Sequence, residues 1–113
     1  MYPWIMKQSS AVKILAALAH EGRLSLIRRL IQAGPEGINA GDLAKHAKIG
    51  ATTASAQLLV LTNAGLVTSK RSGRQVRYFA KYEMMRDLLS FLMLDCCAKR
   101  ADICEPIAEI ALA

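Results

Sequence analysis

Hydrophobic residues recur at helical spacing along the first third of the chain. The segments 9–19 and 21–33 each carry apolar residues three or four positions apart, a period that predicts a helix with one buried face. Gly34 and Pro35 follow the second segment directly, and glycine followed by proline is typical of a helix end. The pattern therefore predicts two amphipathic helices before residue 34.

Two shorter helices are predicted between residues 39 and 64. Asn39 can cap the first of them, which runs to about residue 47. The connection 48–50 is tight, and the second helix continues until Gly65 ends it. Two helices joined by so few residues, the second short and polar at its start, indicate a helix-turn-helix over 39–64.

The hydrophobic period changes from helical to strand-like after Gly65. Two apolar segments flank a basic turn at 71–74, so a β-hairpin is predicted over 66–80. A last helix is predicted over 82–97, where apolar pairs recur every four residues. The predicted fold is mainly α with one small β-hairpin, in a single domain over residues 1–113.

The composition indicates a folded domain that attracts polyanions. Hydrophobic residues make up 53% of the chain, which excludes intrinsic disorder. The formal net charge is +6, and the basic excess is concentrated: residues 68–81 hold five Lys or Arg and no acid, whereas residues 83–113 hold six acids against three basic residues. A focused positive field of this kind favours nucleic acid or an anionic surface as partner.

The sequence does not support a membrane protein, a disulfide-stabilised protein or an enzyme. No apolar run approaches the roughly 18 residues of a membrane span, so a cytoplasmic protein without a membrane partner is expected. Thiols stay reduced in that compartment, and the three cysteines are expected to be ligands or sensors rather than a disulfide frame. No nucleophile–base pairing, phosphate loop or paired carboxylates mark a catalytic site, so no enzymatic activity is expected.

Several segments together resemble the ArsR/SmtB family of metal-responsive winged-helix repressors. The matching pieces are 17–24 (ALAHEGRL), 53–58 (TASAQL), 61–67 (LTNAGLV) and 73–78 (GRQVRY), and the resemblance covers roughly residues 10–95. It implies a winged helix-turn-helix that forms a homodimer through its first and last helices, 9–19 and 82–97. It also implies a repressor whose two units face a double-stranded operator, expected to be an imperfect palindrome.

The second helix of the helix-turn-helix is predicted to enter the major groove by its N-terminal end. Glutamine can pair with adenine, hydroxyls can reach bases or phosphates, and nearby cations suit the phosphate backbone or the minor groove. The predicted DNA-contacting residues are Lys45, Lys48, Thr52, Thr53, Ser55, Gln57, Lys70, Arg71, Arg74 and Arg77. The family usually carries Ser-X-His-Leu in this helix, whereas residues 55–58 read Ser-Ala-Gln-Leu, so base readout there is weakened or shifted.

All three cysteines, Cys96, Cys97 and Cys104, fall within nine residues. Thiolates bind soft ions, and no histidine follows residue 46 to complete a four-ligand zinc site. Three thiolates alone suit a three-coordinate ion such as As(III) or Sb(III), and members of the family sense arsenite through cysteine triads. The family's cysteine-containing zinc and cadmium motif near the helix-turn-helix is absent. An effector site is therefore predicted over 96–104, where As(III) or Sb(III) would cause release of the operator.

Helix geometry constrains this predicted effector site. Cys97 and Cys104 would lie about 10 Å apart along an unbroken helix, but sulfurs that share one ion lie within about 4 Å of each other. Either the helix unwinds between 98 and 103, which is the preferred interpretation, or Cys104 comes from the other subunit. Two alternatives stay open: a repressor that senses oxidants or persulfides through a thiol near Lys99 and Arg100, and a DNA-binding protein without an effector.

Overall fold

The computed structural model describes residues 6–93, which form five α-helices, a 3-10 turn and a small antiparallel sheet. In chain order the elements are α1 (Gln8–Leu18), α2 (Glu21–Ala33), the 3-10 turn (Gly34–Glu36), β1 (Ile38–Asn39), α3 (Ala40–Ala47), α4 (Ala51–Asn63), β2 (Val67–Ser72), β3 (Gln75–Ala80) and α5 (Tyr82–Leu92). This architecture confirms the predicted class, a mainly α winged helix-turn-helix. The last helix is predicted to reach residue 97, and 94–97 lie outside the described residues.

The helix boundaries follow from the local sequence. His20 begins α2, because its Nδ1 atom accepts the backbone N–H groups of Gly22 and Arg23 at 3.1 and 3.3 Å. Gly34 ends α2 with a φ of 79°, a left-handed conformation that glycine adopts without steric cost. Asn39 begins α3 and accepts the backbone N–H of the third residue after it at 2.9 Å, which confirms the predicted cap.

The predicted hairpin is part of a three-stranded antiparallel sheet with strand order β1-β3-β2. Strands β2 and β3 pair along their whole length until Ser72 lies opposite Gln75, so the turn consists of Gly73 and Arg74. Gly73 has a φ of 62°, which a two-residue hairpin turn requires. The turn is therefore tighter than the predicted one at 71–74, and the strands extend further toward the tip.

The third strand, β1, is not predicted from the sequence, because two residues are too few to show an alternating pattern. Ile38 pairs with Tyr78, and Asn39 pairs with Arg77. Gly37 precedes the strand with a φ of 71°, and a Cβ at this position would collide with the carbonyl oxygen of Tyr78. The hairpin is thereby fastened to the chain that enters α3, which ties together the two elements predicted to contact DNA.

The core is aliphatic and lies between the helices and the inner face of the sheet. Its largest fully buried side chains are those of Ile14, Leu26, Ile27, Leu30, Leu43, Leu58, Leu61, Leu66 and Val67. No polar or charged residue within 6–93 is buried. Burial of each large aliphatic side chain contributes about 1.5–3 kcal/mol, so packing holds α3 and α4 in their mutual orientation. No helix in this part of the chain is long and apolar enough to cross a bilayer.

Candidate nucleic-acid interface

The helix-turn-helix consists of α3, a three-residue turn at 48–50, and α4. Lys48 adopts a left-handed conformation with φ 58°, and its backbone N–H donates to the carbonyl oxygen of Lys45 at 3.1 Å. This turn reverses the chain at the end of α3. Leu43 on α3 and Leu58 on α4 are both fully buried, so the two helices are held by the core rather than by the turn alone.

The N-terminal end of α4 is exposed and has no side-chain cap. Gly50 precedes the helix, and no side chain within the described range accepts the N–H groups of its first turn. Thr52, Thr53 and Ser55 are exposed at this end, and the first turn contains no acidic residue. Free backbone donors at a helix N-terminus carry partial positive charge. Together with three hydroxyl groups they form a surface that suits phosphates and base edges.

Two of the predicted cations lie beside this end of α4. Lys45 occupies the last turn of α3, and Lys48 is the residue at which α3 ends. Both side chains are exposed. Both lysines thus lie within ten residues of the α4 hydroxyl groups along the chain, and their charges suit phosphates rather than bases.

Gln57 has a partner inside the protein. It is half-buried, and its Oε1 atom accepts from Nη1 of Arg23 at 2.9 Å. The Nε atom of Arg23 donates in turn to the carbonyl oxygen of Ala17 in α1. A bidentate contact to adenine needs both the oxygen and the nitrogen of the glutamine amide, so such a contact requires the Arg23 bond to open. DNA contact by Gln57 stays a prediction.

Sequence reasoning missed the role of Arg23 at this site. The residue belongs to the segment 17–24 that carries the family resemblance, but no periodicity links it to a residue 34 positions away. Only the packing of α2 against α4 brings the two side chains together. Arg23 is therefore a positioning residue for Gln57, because its guanidinium holds the amide oxygen of that predicted DNA-contacting residue.

The hairpin, which we call the wing (Val67–Ala80), carries the highest density of exposed cations in the described chain. Lys70 and Arg77 lie directly opposite each other on β2 and β3, and both are exposed. Like charges at such a position destabilise a sheet unless an anion lies between them. Arg71 and Arg74 are exposed close to the turn. The edge strand β2, the central strand β3 and the turn between them therefore carry four predicted DNA-contacting residues.

The wing cations lack acidic partners. The one ion pair recorded between residues 6 and 93 joins Arg86 to Asp87 at 3.8 Å, and both belong to α5. Arg77 uses one end of its guanidinium internally, where Nη1 donates to the carbonyl oxygens of Glu36 and Gly37 at 2.9 and 3.1 Å. This contact orients Arg77 and leaves its charge uncompensated. The field of the wing is therefore available to an external polyanion.

The three predicted effector ligands, Cys96, Cys97 and Cys104, lie outside the described residues. The structure thus neither assembles them nor separates them. Between residues 6 and 93, no group of three or more His, Cys, Asp or Glu side chains could hold a metal ion. The two histidines in this range have other contacts: His20 caps α2, and His46 lies 3.2 Å from Arg29.

Comparisons with known proteins agree with this geometry. No protein-family model matches the chain. The chain is 34% identical over 85 residues to the uncharacterized HTH-type transcriptional regulator YceK of Bacillus subtilis, with 73% of this chain and 79% of that protein covered. It is 28% identical over 82 residues to the HTH-type transcriptional regulator YgaV of Escherichia coli, with 73% and 81% covered.

Solved structures share the fold. The homodimeric winged helix-turn-helix DNA-binding domain Mb0332 of Mycobacterium bovis, a possible ArsR-family regulator, superposes with a TM-score of 0.62 at 28% identity, covering 80% of this chain and 79% of that one. An ArsR-like transcriptional regulator from Rhodococcus gives a TM-score of 0.66 at 24% identity, with 91% and 93% covered, and supports the fold alone. The observed elements define a winged helix-turn-helix protein. This chain belongs to the ArsR family of transcriptional regulators.

Proposed function

We propose that two copies of this chain form a repressor that holds a double-stranded operator and releases it when As(III) or Sb(III) binds Cys96, Cys97 and Cys104. The wing carries the DNA-binding part of this proposal. Its cations have no carboxylate partner in the described chain, and the strand pairing with β1 fixes them beside the helix-turn-helix. Unpaired cations on a rigid hairpin release counterions when they meet phosphates, which drives association at low salt.

The hydroxyl groups at the start of α4 supply the second half of the DNA contact. Thr52, Thr53 and Ser55 are exposed there, and the uncapped N–H groups of α4 point in the same direction. A helix that enters the major groove by this end brings short polar side chains to base edges. We therefore assign the phosphate contacts mainly to the wing and the base contacts mainly to α4.

An exposed apolar surface on α1 and α5 supports the dimer. These two helices pack against each other, and they leave Val12, Leu15 and Leu92 exposed by 57%, 42% and 52% of their surface. Burial of each against a second copy would contribute up to about 1.5–3 kcal/mol. The Mycobacterium bovis domain with this fold is homodimeric. A two-fold symmetric protein matches a palindromic operator, because each unit then reads one half-site.

The position of the cysteines supports a route from effector to DNA. Cys96 follows the last residue of α5 by only four positions, so an ion held there acts on the end of a helix that borders the proposed dimer interface. Repositioning of α5 changes the angle between the two DNA-binding units. Because coupling between two binding sites is reciprocal, operator binding must weaken arsenite binding by the same factor.

Operator release by arsenite tests the proposal. The probe is a labelled duplex that the purified protein enriches from a random-sequence pool, and its binding is measured by fluorescence anisotropy with and without arsenite. We expect arsenite to release the native protein, whereas Cys96→Ser and Cys97→Ser bind the duplex normally and resist release. Zn²⁺ serves as the control ion, because it prefers four ligands. Unchanged binding of the native protein in arsenite would refute the arsenite response.

The same assay separates the redox alternative. Addition of a thiol oxidant in place of arsenite measures whether oxidation of the same cysteines releases the duplex without any ion. Release by the oxidant, reversed by a reductant, together with no response to arsenite would establish thiol oxidation as the signal instead.

A further inference from the structure

A depression of about 220 Å³ lies between α2 and the end of α3, apart from the wing and the start of α4. Its polar lining comes from Ser25, Arg28, Arg29 and Gln32 on α2 and from His46 on α3. The second, third and fourth of these α2 residues stand three, four and seven positions after Ser25, so all four share one face of the helix. The rest of the lining is apolar and comes from Leu26, Leu43 and Ala47.

The polar groups around this depression are hydrogen-bond donors or neutral groups, and none of them is acidic. Two guanidinium groups bring permanent positive charge, and the serine hydroxyl and the glutamine amide add further donors. Asp42 supplies a carboxylate to an adjoining depression, which shares Arg29 and His46 with this one and is also lined by Lys45. The Asp42 carboxylate accepts from the Nδ2 atom of Asn39 at 3.0 Å and does not line the depression between α2 and α3. The lining therefore complements an oxyanion and not a cation.

Arg29 is incompletely satisfied at the centre of this arrangement. Its Nη2 atom lies 3.2 Å from Nε2 of His46, and since arginine has no acceptor, Arg29 is the donor in this contact. The Nε atom of Arg29 is shielded from solvent and has no hydrogen-bond partner among residues 6–93. A shielded donor without an acceptor is unfavourable, so a modest rotation of this side chain toward an incoming oxygen would be stabilising.

We propose that the depression between α2 and α3 is a binding site for a phosphate group, held by Arg28 and Arg29 with Ser25, Gln32 and His46 as additional hydrogen-bonding groups. Phosphate offers several acceptor oxygens, and arginine matches them in a bidentate way. Such a group has two sources for a protein of this kind: free phosphate, or the backbone of the bound duplex outside the recognition helix. The site does not depend on the arsenite response.

The two histidines of the chain provide an internal reporter and an internal control. His46 lines the site, whereas His20 caps the start of α2 and does not line it. Both imidazole rings are followed by NMR of protein labelled at histidine, while inorganic phosphate replaces chloride at constant pH and ionic strength. The expected result is a saturable shift of the His46 resonances with little change at His20.

Substitution of arginine tests whether the site, rather than general charge, binds phosphate. Arg29→Gln and Arg28→Gln each remove one guanidinium from the lining, and each is expected to raise the dissociation constant for phosphate by roughly tenfold or more. Arg86→Gln is the matched control, because it makes the same change in net charge on α5. The control is expected to bind phosphate like the native protein. If Arg29→Gln does not fold, Arg28→Gln and the native titration still decide the question.

A duplex arm distinguishes the two sources of the phosphate group. If the selected duplex shifts His46 and competes with inorganic phosphate, the backbone of the duplex occupies the site. If phosphate shifts His46 but the duplex neither shifts it nor competes, the ligand is free phosphate. The proposal is overturned if neither phosphate nor duplex moves His46, or if both histidines drift together without saturation. Anisotropy of the duplex on the same samples reports DNA binding separately, so failure of this site leaves the repressor proposal to its own test.

Discussion

The wing and the start of α4 are both exposed and both predicted to contact DNA, but they carry different chemistry. The wing presents four cations, and no carboxylate pairs with them in the described chain. The start of α4 presents hydroxyl groups and uncapped backbone donors without a charged side chain in its first turn. Charges bind phosphates regardless of sequence, whereas directional donors distinguish bases. Substitutions in the wing should therefore reduce affinity for any duplex, whereas substitutions at the start of α4 should reduce the preference for one base sequence.

The largest effect is expected at the wing. Replacing Arg71 and Arg74 together by alanine removes two cations near the hairpin turn, and each loss weakens duplex binding by about tenfold if one charged hydrogen bond to phosphate is lost. Because a dimer loses four such cations, the slope of the logarithm of affinity against the logarithm of salt concentration should become shallower by about 4. Anisotropy titrations over a range of salt concentrations measure both quantities.

Two further variants serve as controls for the wing substitution. Arg86→Ala on α5 removes a cation that lies outside the wing and pairs with Asp87 at 3.8 Å, so it should leave the salt slope unchanged. The lysine version of the double substitution should retain most of the slope, because the charge is kept. If the double alanine variant keeps the native slope, the wing does not contact phosphates. If it weakens only the selected duplex and not random DNA, the assignment of affinity to the wing is wrong.

An intermediate effect is expected at α4. Thr53→Val removes a hydroxyl group and nearly preserves shape, so it should lower the preference for the selected duplex over random DNA by about tenfold, as expected for about 1.4 kcal/mol of lost discrimination. The salt slope should not change. Thr62→Val is the matched control, because the Thr62 hydroxyl donates to the carbonyl oxygen of Leu58 at 2.8 Å near the other end of α4. Equal effects of both substitutions would argue that the loss is structural.

The smallest effect is expected where the two elements are joined. Asn39→Ala removes the cap of α3, where the side chain accepts the backbone N–H of Asp42 at 2.9 Å. The free energy of unfolding should fall by about 1 kcal/mol, measured by chemical denaturation. Asn63→Ala, at an exposed position where α4 ends, should change it much less. A drop of several kcal/mol at Asn39 would mean that the residue supports the β1 strand more than the helix cap.

Much of the fold could be predicted because local sequence decides it. The helical period of the first 33 residues, Gly34 and the cap at Asn39 all act over a few positions, and the first four helices begin and end within one or two residues of the predicted ones. Strand β1 could not be predicted, since its two residues pair with β3 almost 40 positions away. The one indication of this strand in the sequence is Gly37, where the close approach of β3 leaves no room for a side chain.

The sequence predicted which residues would form the candidate site, but not which of them would contact each other. Exposure of the wing cations and of the α4 hydroxyls follows from their polar character. The bond between Arg23 and Gln57 could not be predicted, because it depends on how two helices pack. The donor-lined depression on α2 was open to prediction in part: Ser25, Arg28, Arg29 and Gln32 form a polar stripe at helical spacing, but the opposing His46 comes from tertiary structure.

The guanidinium of Arg23 joins three helices at one point. It contacts the carbonyl oxygen of Ala17 near the end of α1 and the amide oxygen of Gln57 on α4, while its own backbone belongs to α2. Any displacement of α1 relative to α4 must therefore either move the Gln57 side chain or break its hydrogen bond to Arg23. A single side chain thus makes the position of α4 sensitive to that of α1, the helix that carries part of the proposed dimer surface.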